Sequence, residues 1–151
     1  MVRLPLASAE LPGAQAAKVL AAPKPVSNAR RRVLVVEDGD DLRIAFQEYL
    51  AALGHEVSVA GDGPQGAIQN LKLLPDVSFV DVGLPGFDGY EVARRVRASP
   101  GGERLYLVVL TGYGGAEVRA KAIEAGFNLQ LTKPVDVSEL EELVNNSRAS
   151  G

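Results

Sequence analysis

Five side chains of this sequence stand at the ends of apolar runs, and together their types suit one kind of chemistry. Glu37 and Asp38 close the run at 33–37, Asp81 closes VSFVD at 77–81, Thr111 follows LYLVVL at 105–110, and Lys133 comes just beyond NLQL at 128–131. If these runs are parallel strands of one sheet, the five groups share the rim formed by the carboxyl ends, where open α/β sheets bind ligands. Three carboxylates on one rim repel each other by about 4 kcal/mol per pair at about 4 Å under a surface-like dielectric. A divalent cation removes that cost, and an all-oxygen donor set selects Mg²⁺ or Mn²⁺ over zinc. Magnesium keeps waters and bridges to phosphoryl oxygens, so the set reads as a phosphoryl-transfer site. Asp81, at the centre, is the natural covalent nucleophile, giving an aspartyl phosphate. Thr111 and Lys133 would contact the remaining phosphoryl oxygens.

Taken singly, each residue has a plainer explanation. Glu37 and Asp38 could favour the dipole of a following helix, Asp81 could open the turn LPGFDG behind it, Thr111 could be a loop hydroxyl and Lys133 a solvated lysine. Their joint arrival at four strand ends favours the site. His55 is the single histidine. It falls in the turn before the second strand, at the opposite end of the sheet, and reads as a surface turn residue.

The elements that would position the site alternate regularly from residue 33 onward. Strands are expected at 33–37, 56–60, 77–81, 105–110 and 128–131, the second as an edge strand because its polar and apolar residues alternate. Helices are expected at 40–53, 63–73, 90–98 and 115–125, and a last one starts at Asp136. The first carries a stripe of Leu42, Phe46, Leu50 and Leu53. The last opens with Asp136 and Glu139 at capping-box spacing and is expected to bury Val137, Leu140 and Val144. Five β units, each followed by a helix, imply an α/β fold: a doubly wound five-stranded parallel sheet with helices on both faces.

Composition removes other classes. The 151 residues, 46% hydrophobic and 23% charged, suit one domain plus a tail. The absence of cysteine excludes disulfides, zinc knuckles, iron–sulfur sites and thiol nucleophiles. No apolar run reaches the roughly 20 residues of a membrane span, and Pro5, Glu10, Pro12 and Lys18 interrupt any signal-peptide core. A cytoplasmic protein without membrane contact is the expectation. The net charge of −3 conceals an asymmetry: residues 1–32 carry six basic side chains against Glu10 alone, whereas residues 33–151 carry 10 basic and 18 acidic ones. An acidic body repels nucleic acid, and the Arg30–Arg32 run reads as a solvated linker end.

The residues VLVVEDGDD, VDVGLPGFDGYEVARRVR, VVLTGYG and AGFNLQLTKPVD, in that order and spacing, resemble the receiver domains of two-component signalling over roughly 31–147. The resemblance implies a flavodoxin-like sheet of order 2-1-3-4-5. It implies that Asp81 accepts phosphate from a phosphohistidine donor, either a kinase domain of the same protein or a histidine phosphotransfer protein. Glu37, Asp38, Asp81 and the backbone carbonyl of Gly83 would bind Mg²⁺, with Mn²⁺ as a substitute. Thr111 would carry the switch, Lys133 would pair with the phosphoryl group, and the Lys133–Pro134 bond would be cis. The chain departs from the family three residues before the lysine, where Gln130 replaces the usual Tyr or Phe. Gly83 also sets no side chain over the phosphoryl group, which would leave water free access and shorten the phosphate's lifetime.

Residues 1–30, rich in Ala and Pro, read as a linker or tail, and 148–151 as a second tail. The string VRLPLA resembles the last strand of a histidine-kinase ATP-binding domain. With a chain that ends at Gly151, it suggests the C-terminal receiver of a hybrid sensor histidine kinase, monomeric as an isolated domain. The alternatives are a stand-alone single-domain response regulator and a pseudo-receiver that binds without phosphorylation; the latter should lack an acid, threonine or lysine that is present here. Haloacid-dehalogenase-type phosphatases place a second Asp where this chain has Gly83. Rossmann and P-loop enzymes need phosphate-cradling glycines where it has Glu37 and Asp38. The isolated domain would catalyse only its own phosphorylation and dephosphorylation.

Overall fold

A computed structural model describes residues 30–146. The expected linker and the VRLPLA string thus lie outside the described residues except for Arg30, as do residues 147–151. The elements run β1 (Arg32–Val36), α1 (Asp40–Ala52), β2 (Glu56–Ala60), α2 (Gly63–Leu73), β3 (Val77–Asp81), α3 (Gly89–Arg97), a 3₁₀ turn (Gly102–Arg104), β4 (Leu107–Thr111), α4 (Ala116–Ala125), β5 (Leu129–Thr132) and α5 (Val137–Asn146). All strand pairs are parallel, in the order β2-β1-β3-β4-β5. This is the doubly wound, flavodoxin-like order 2-1-3-4-5 that the resemblance implied.

The continuous apolar runs of the three central strands follow from burial on both faces. Successive side chains alternate between two cores. Val33, Val35, Val77, Phe79, Val108 and Leu110 pack with Phe46 and Leu50 of α1 and Leu140 and Val144 of α5. Their neighbours Leu34, Val36, Val80, Leu107 and Val109 pack with Ala67 of α2, Val92 and Val96 of α3, and Ala122 of α4. Helix starts carry their own signals. The carboxylate of Asp62 accepts the Gln65 N–H at 2.7 Å, and that of Asp88 accepts the Glu91 N–H at 2.9 Å. At α5 the capping pair forms: Ser138 N–H donates to Asp136 at 3.0 Å, and Asp136 N–H to Glu139 at 3.4 Å.

Several expectations need correction. Val137 is 40% exposed; it is the first residue of α5, and Leu140 and Val144 are the helix residues buried in the core, with Val135 packed against that core just before the helix. Leu53 is also exposed, because α1 ends at Ala52 and Leu53 leads into the positive-φ turn at Gly54. The fourth strand starts at Leu107 rather than 105, after the 3₁₀ turn, where Leu107 N–H donates to Asn128 Oδ1 at 2.8 Å. His55 does precede β2 at the amino end of the sheet, yet it is 6% exposed. Its Nδ1 accepts the Arg31 N–H at 3.1 Å, and the buried Arg31 guanidinium donates to the Asn145 carbonyl at 3.0 Å. Arg31 therefore ties β1 to the end of α5, while Arg30 and Arg32 are exposed.

Candidate functional site

The carboxyl rim brings the predicted acids together. One carboxylate oxygen each from Glu37, Asp38 and Asp81 lies within 4.8 Å of the others, with Glu37 and Asp81 buried and Asp38 exposed. Asp81 ends β3, between β1 and β4 in the sheet. Glu37 and Asp38 follow β1 directly, so adjacent parallel strands set the three acids side by side. Lys133 follows β5 and reaches across β4: its Nζ lies 2.6 Å from Asp81 Oδ1 and 3.4 Å from Glu37 Oε1. Backbone pairing fixes its start, since Lys133 N–H donates to the Thr111 carbonyl at 2.7 Å. The Lys133–Pro134 bond is cis, as the resemblance implied. Thr111 is buried at the end of β4, one strand from Asp81. Gly83 is exposed beside the rim, and a Cβ built on it would sit 3.8 Å from Asp81 Oδ2.

The charges oppose one another. Burial pushes Glu37 above the usual carboxylate range; the Gly39 N–H, donating to Oε2 at 3.0 Å, pulls it back, while the field of Asp81 raises it further. Burial pulls the Lys133 ammonium down, but its hydrogen bond to Asp81 and the fields of Asp81 and Glu37 together hold it above the ordinary lysine value. The ammonium is thus firmly charged and neutralises part of a three-acid cluster. All-oxygen donors this close, with one exposed member open to water, fit a hydrated hard cation such as Mg²⁺.

Two contacts at the site went unread in the sequence. The Arg43 guanidinium donates to the Glu37 carbonyl at 3.0 Å and pairs with Asp40, so α1 braces the acidic turn. The Thr111 hydroxyl is engaged with Tyr113, donating to its carbonyl and accepting its N–H, each at 3.2 Å. A hydroxyl two residues before a loop amide is the turn-forming spacing that could have predicted the second contact. Gln130, on the edge strand β5, donates through Nε2 to the Tyr113 carbonyl at 3.4 Å. Among the described residues no helix is long and apolar enough to cross a membrane.

Comparison with known proteins points the same way. The family model described as response regulator receiver domain matches residues 33–145. An uncharacterized 14.6 kDa protein of Leptolyngbya boryana is 40% identical over 116 residues, covering 77% of this chain and 88% of that protein. The response regulator PleD of Caulobacter vibrioides is 35% identical over 105 residues, which cover 70% of this chain but 23% of PleD. Among solved structures, the receiver domain of the sensor histidine kinase PA1611 of Pseudomonas aeruginosa PAO1, crystallised with a magnesium ion coordinated in its active site cleft, is similar with a TM-score of 0.73. It is 29% identical, and the match covers 80% of this chain and 99% of that one.

Proposed function

The chain belongs to the response regulator receiver domain family, and from that premise we propose that residues 31–147 form the phosphoacceptor of a two-component phosphorelay, with Asp81 as the accepting side chain. The observation that carries this reading is the 2.6 Å ion pair between Lys133 and Asp81 inside a cluster of three converging carboxylates. A strand-end aspartate that only opened a turn would need neither the lysine nor the two companion acids.

Glu37, Asp38, Asp81 and the Gly83 carbonyl would hold Mg²⁺, or Mn²⁺ in its place. When bound, the ion neutralises the acids and the charge of the arriving phosphoryl group. The residues of the chain do the rest. An Asp81 carboxylate oxygen forms the new O–P bond while the N–P bond of phosphohistidine breaks, its electron pair returning to the imidazole nitrogen, which takes up a proton. Lys133 lies on the same carboxylate and supplies a positive charge to the phosphoryl oxygens. Thr111 carries the hydroxyl that turns toward the phosphoryl group, so phosphorylation biases one of two conformations.

The donor is a phosphohistidine of the same protein's kinase domain or of a phosphotransfer protein. The acidic body argues against a nucleic-acid partner, and we take the isolated domain to be monomeric and cytoplasmic. We assign it to a hybrid sensor histidine kinase, supported by the VRLPLA string and by the likeness to a receiver carried by a sensor kinase. A stand-alone regulator is the second reading, favoured by the Leptolyngbya protein, most of whose length the match spans. Intact-mass spectrometry after incubation with acetyl phosphate tests the central claim. One Mg²⁺-dependent phosphoryl adduct, absent in Asp81→Asn, is expected; an adduct that survives Asp81→Asn would overturn the assignment.

A further inference from the structure

Several features of the β4–α4 loop meet at Tyr113. Both of its backbone polar groups are bonded to the Thr111 hydroxyl. Its carbonyl also accepts from Gln130 Nε2, while Gln130 Oε1 is buried with no hydrogen-bond partner. Tyr113 as a whole is 77% exposed. Next to it a cavity of about 570 Å³ opens between α4 and β5, lined by Gly114, Gly115, Arg119, Ile123, Phe127 and Gln130 among others. The loop itself is unencumbered: a Cβ on Gly112 or Gly115 would meet no atom within 4 Å, and Gly115 has φ +113°.

We propose that Tyr113 is the moving aromatic of this domain and Gln130 its latch, the ring closing over the α4–β5 cavity when Thr111 turns toward a phosphoryl group on Asp81. The proposal rests on the phosphoacceptor reading above. A threonine hydroxyl carries one proton, so it cannot donate to the Tyr113 carbonyl and to a phosphoryl oxygen together. Turning it frees the Tyr113 N–H and leaves the carbonyl to Gln130 alone. The amide then holds one end of the residue, and the flanking glycines let the ring swing. Ile123 and Phe127 offer the ring an apolar bed, and the Arg119 guanidinium offers a stacking partner. The phenol O–H supplies a donor for Gln130 Oε1, and an unpaired buried acceptor is costly to leave unmet. Removal of the exposed ring from water favours the same closure.

The test uses the full chain labelled with 3-fluorotyrosine and ¹⁹F NMR, with beryllofluoride and Mg²⁺ as the phosphoryl mimic. The chain has four tyrosines, and Tyr113→Phe assigns the relevant line. On adding the mimic, the Tyr113 line is expected to shift, and its broadening by a soluble paramagnetic agent to fall severalfold. Gln130→Leu, and Gln130→Glu, which keeps the shape but removes the donor, should leave Tyr113 accessible. Both variants should still take up one phosphoryl group from acetyl phosphate by intact mass, a readout that separates the latch from the chemistry. Adduct formation with Tyr113 as exposed as before, or closure that survives both Gln130 variants, would overturn the proposal alone. No adduct and no response to the mimic would overturn the phosphoacceptor reading and this proposal with it.

Discussion

Replacing Lys133 by methionine removes the ammonium and keeps most of the side chain's bulk. Its Nζ sits 2.6 Å from Asp81 Oδ1 and 3.4 Å from Glu37 Oε1, and both carboxylates are buried. Removing one partner from a buried pair costs about 3–5 kcal/mol. The Lys133 side chain is 29% exposed, so water screens part of the interaction, and about 2–3 kcal/mol is expected in metal-free protein. For a domain of this size that lowers Tm by about 10 °C. Saturating Mg²⁺ should shrink the loss to below about 1 kcal/mol, because the cation takes over the neutralisation of the same acids. Coupling between lysine and metal is reciprocal. A penalty that falls by about 1.5–2 kcal/mol on metal binding therefore requires Lys133→Met to bind Mg²⁺ about 10- to 30-fold more tightly than the unaltered chain. Thermal unfolding with chelator and with Mg²⁺, together with a calorimetric Mg²⁺ titration, reads both sides of this cycle. Equal destabilisation in the two conditions, or weaker Mg²⁺ binding in the variant, would refute the view that ammonium and cation compete for one cluster.

Other consequences follow from single residues. Burial, aided by Arg31, holds the His55 pKa below its ordinary 6.5, so the unfolded chain binds that proton more readily than the folded one. Its contribution to stability is complete above pH 6.5 and declines as pH falls below it, by at most about 1.4 kcal/mol per pH unit; urea midpoints that stay flat through this range would contradict the buried acceptor role. At Gly83 a Cβ meets only ordinary contact distance from Asp81, so Gly83→Leu should fold and lengthen the adduct's half-life severalfold by shielding it from water. A half-life of many hours in the unaltered chain would reject that reasoning. In α2, Gly66→Ala would set a Cβ 2.7 Å from Val36 Cγ1 and should cost about 1–3 kcal/mol by overpacking. Leu74, which ends the same helix at φ 47°, pays for a left-handed backbone, and Leu74→Gly should stabilise the domain by about 0.5–1 kcal/mol in denaturant unfolding.

The architecture and the rim were legible in the sequence because both depend on short-range regularities. Runs such as VLVV and LVVL must be buried on two faces, and a polar residue directly after such a run has to emerge at the strand's carboxyl end. Glu37, Asp81 and Thr111 could therefore be located without knowing what they touch. What stayed hidden depends on partners far apart in the chain. His55 looks like a turn residue until the backbone of Arg31 meets it, and Arg31 looks like part of a solvated basic run until the Asn145 carbonyl, 114 residues away, accepts its guanidinium. Val137 has the right helical spacing for the core, yet spacing does not reveal that the helix's first residue stays exposed while Val135, before it, packs against the core. Gln130 could be seen as a departure from the family's pattern, but the carbonyl it bonds belongs to a loop on another strand.

The proposed switch needs chemistry at the rim to act on a loop, and the geometry places the two side by side. The cluster sets three carboxylates against the single ammonium of Lys133, and burial together with the field of Asp81 raises Glu37 above its ordinary value. That opposition is confined to side chains at the ends of rigid central strands, which are packed on both faces and have little room to yield. The nearby Gly112–Gly115 segment lacks such packing: two of its glycines have open space where a side chain would stand, and Thr111 and Gln130 hold its Tyr113. In the proposed switch, neutralising the cluster and drawing the Thr111 hydroxyl toward it would remove one of those two holds. A stiff sheet that concentrates charge and a lightly tethered loop beside it are what the proposed switch requires, because a local change at Asp81 would then have a compliant neighbour on which to act.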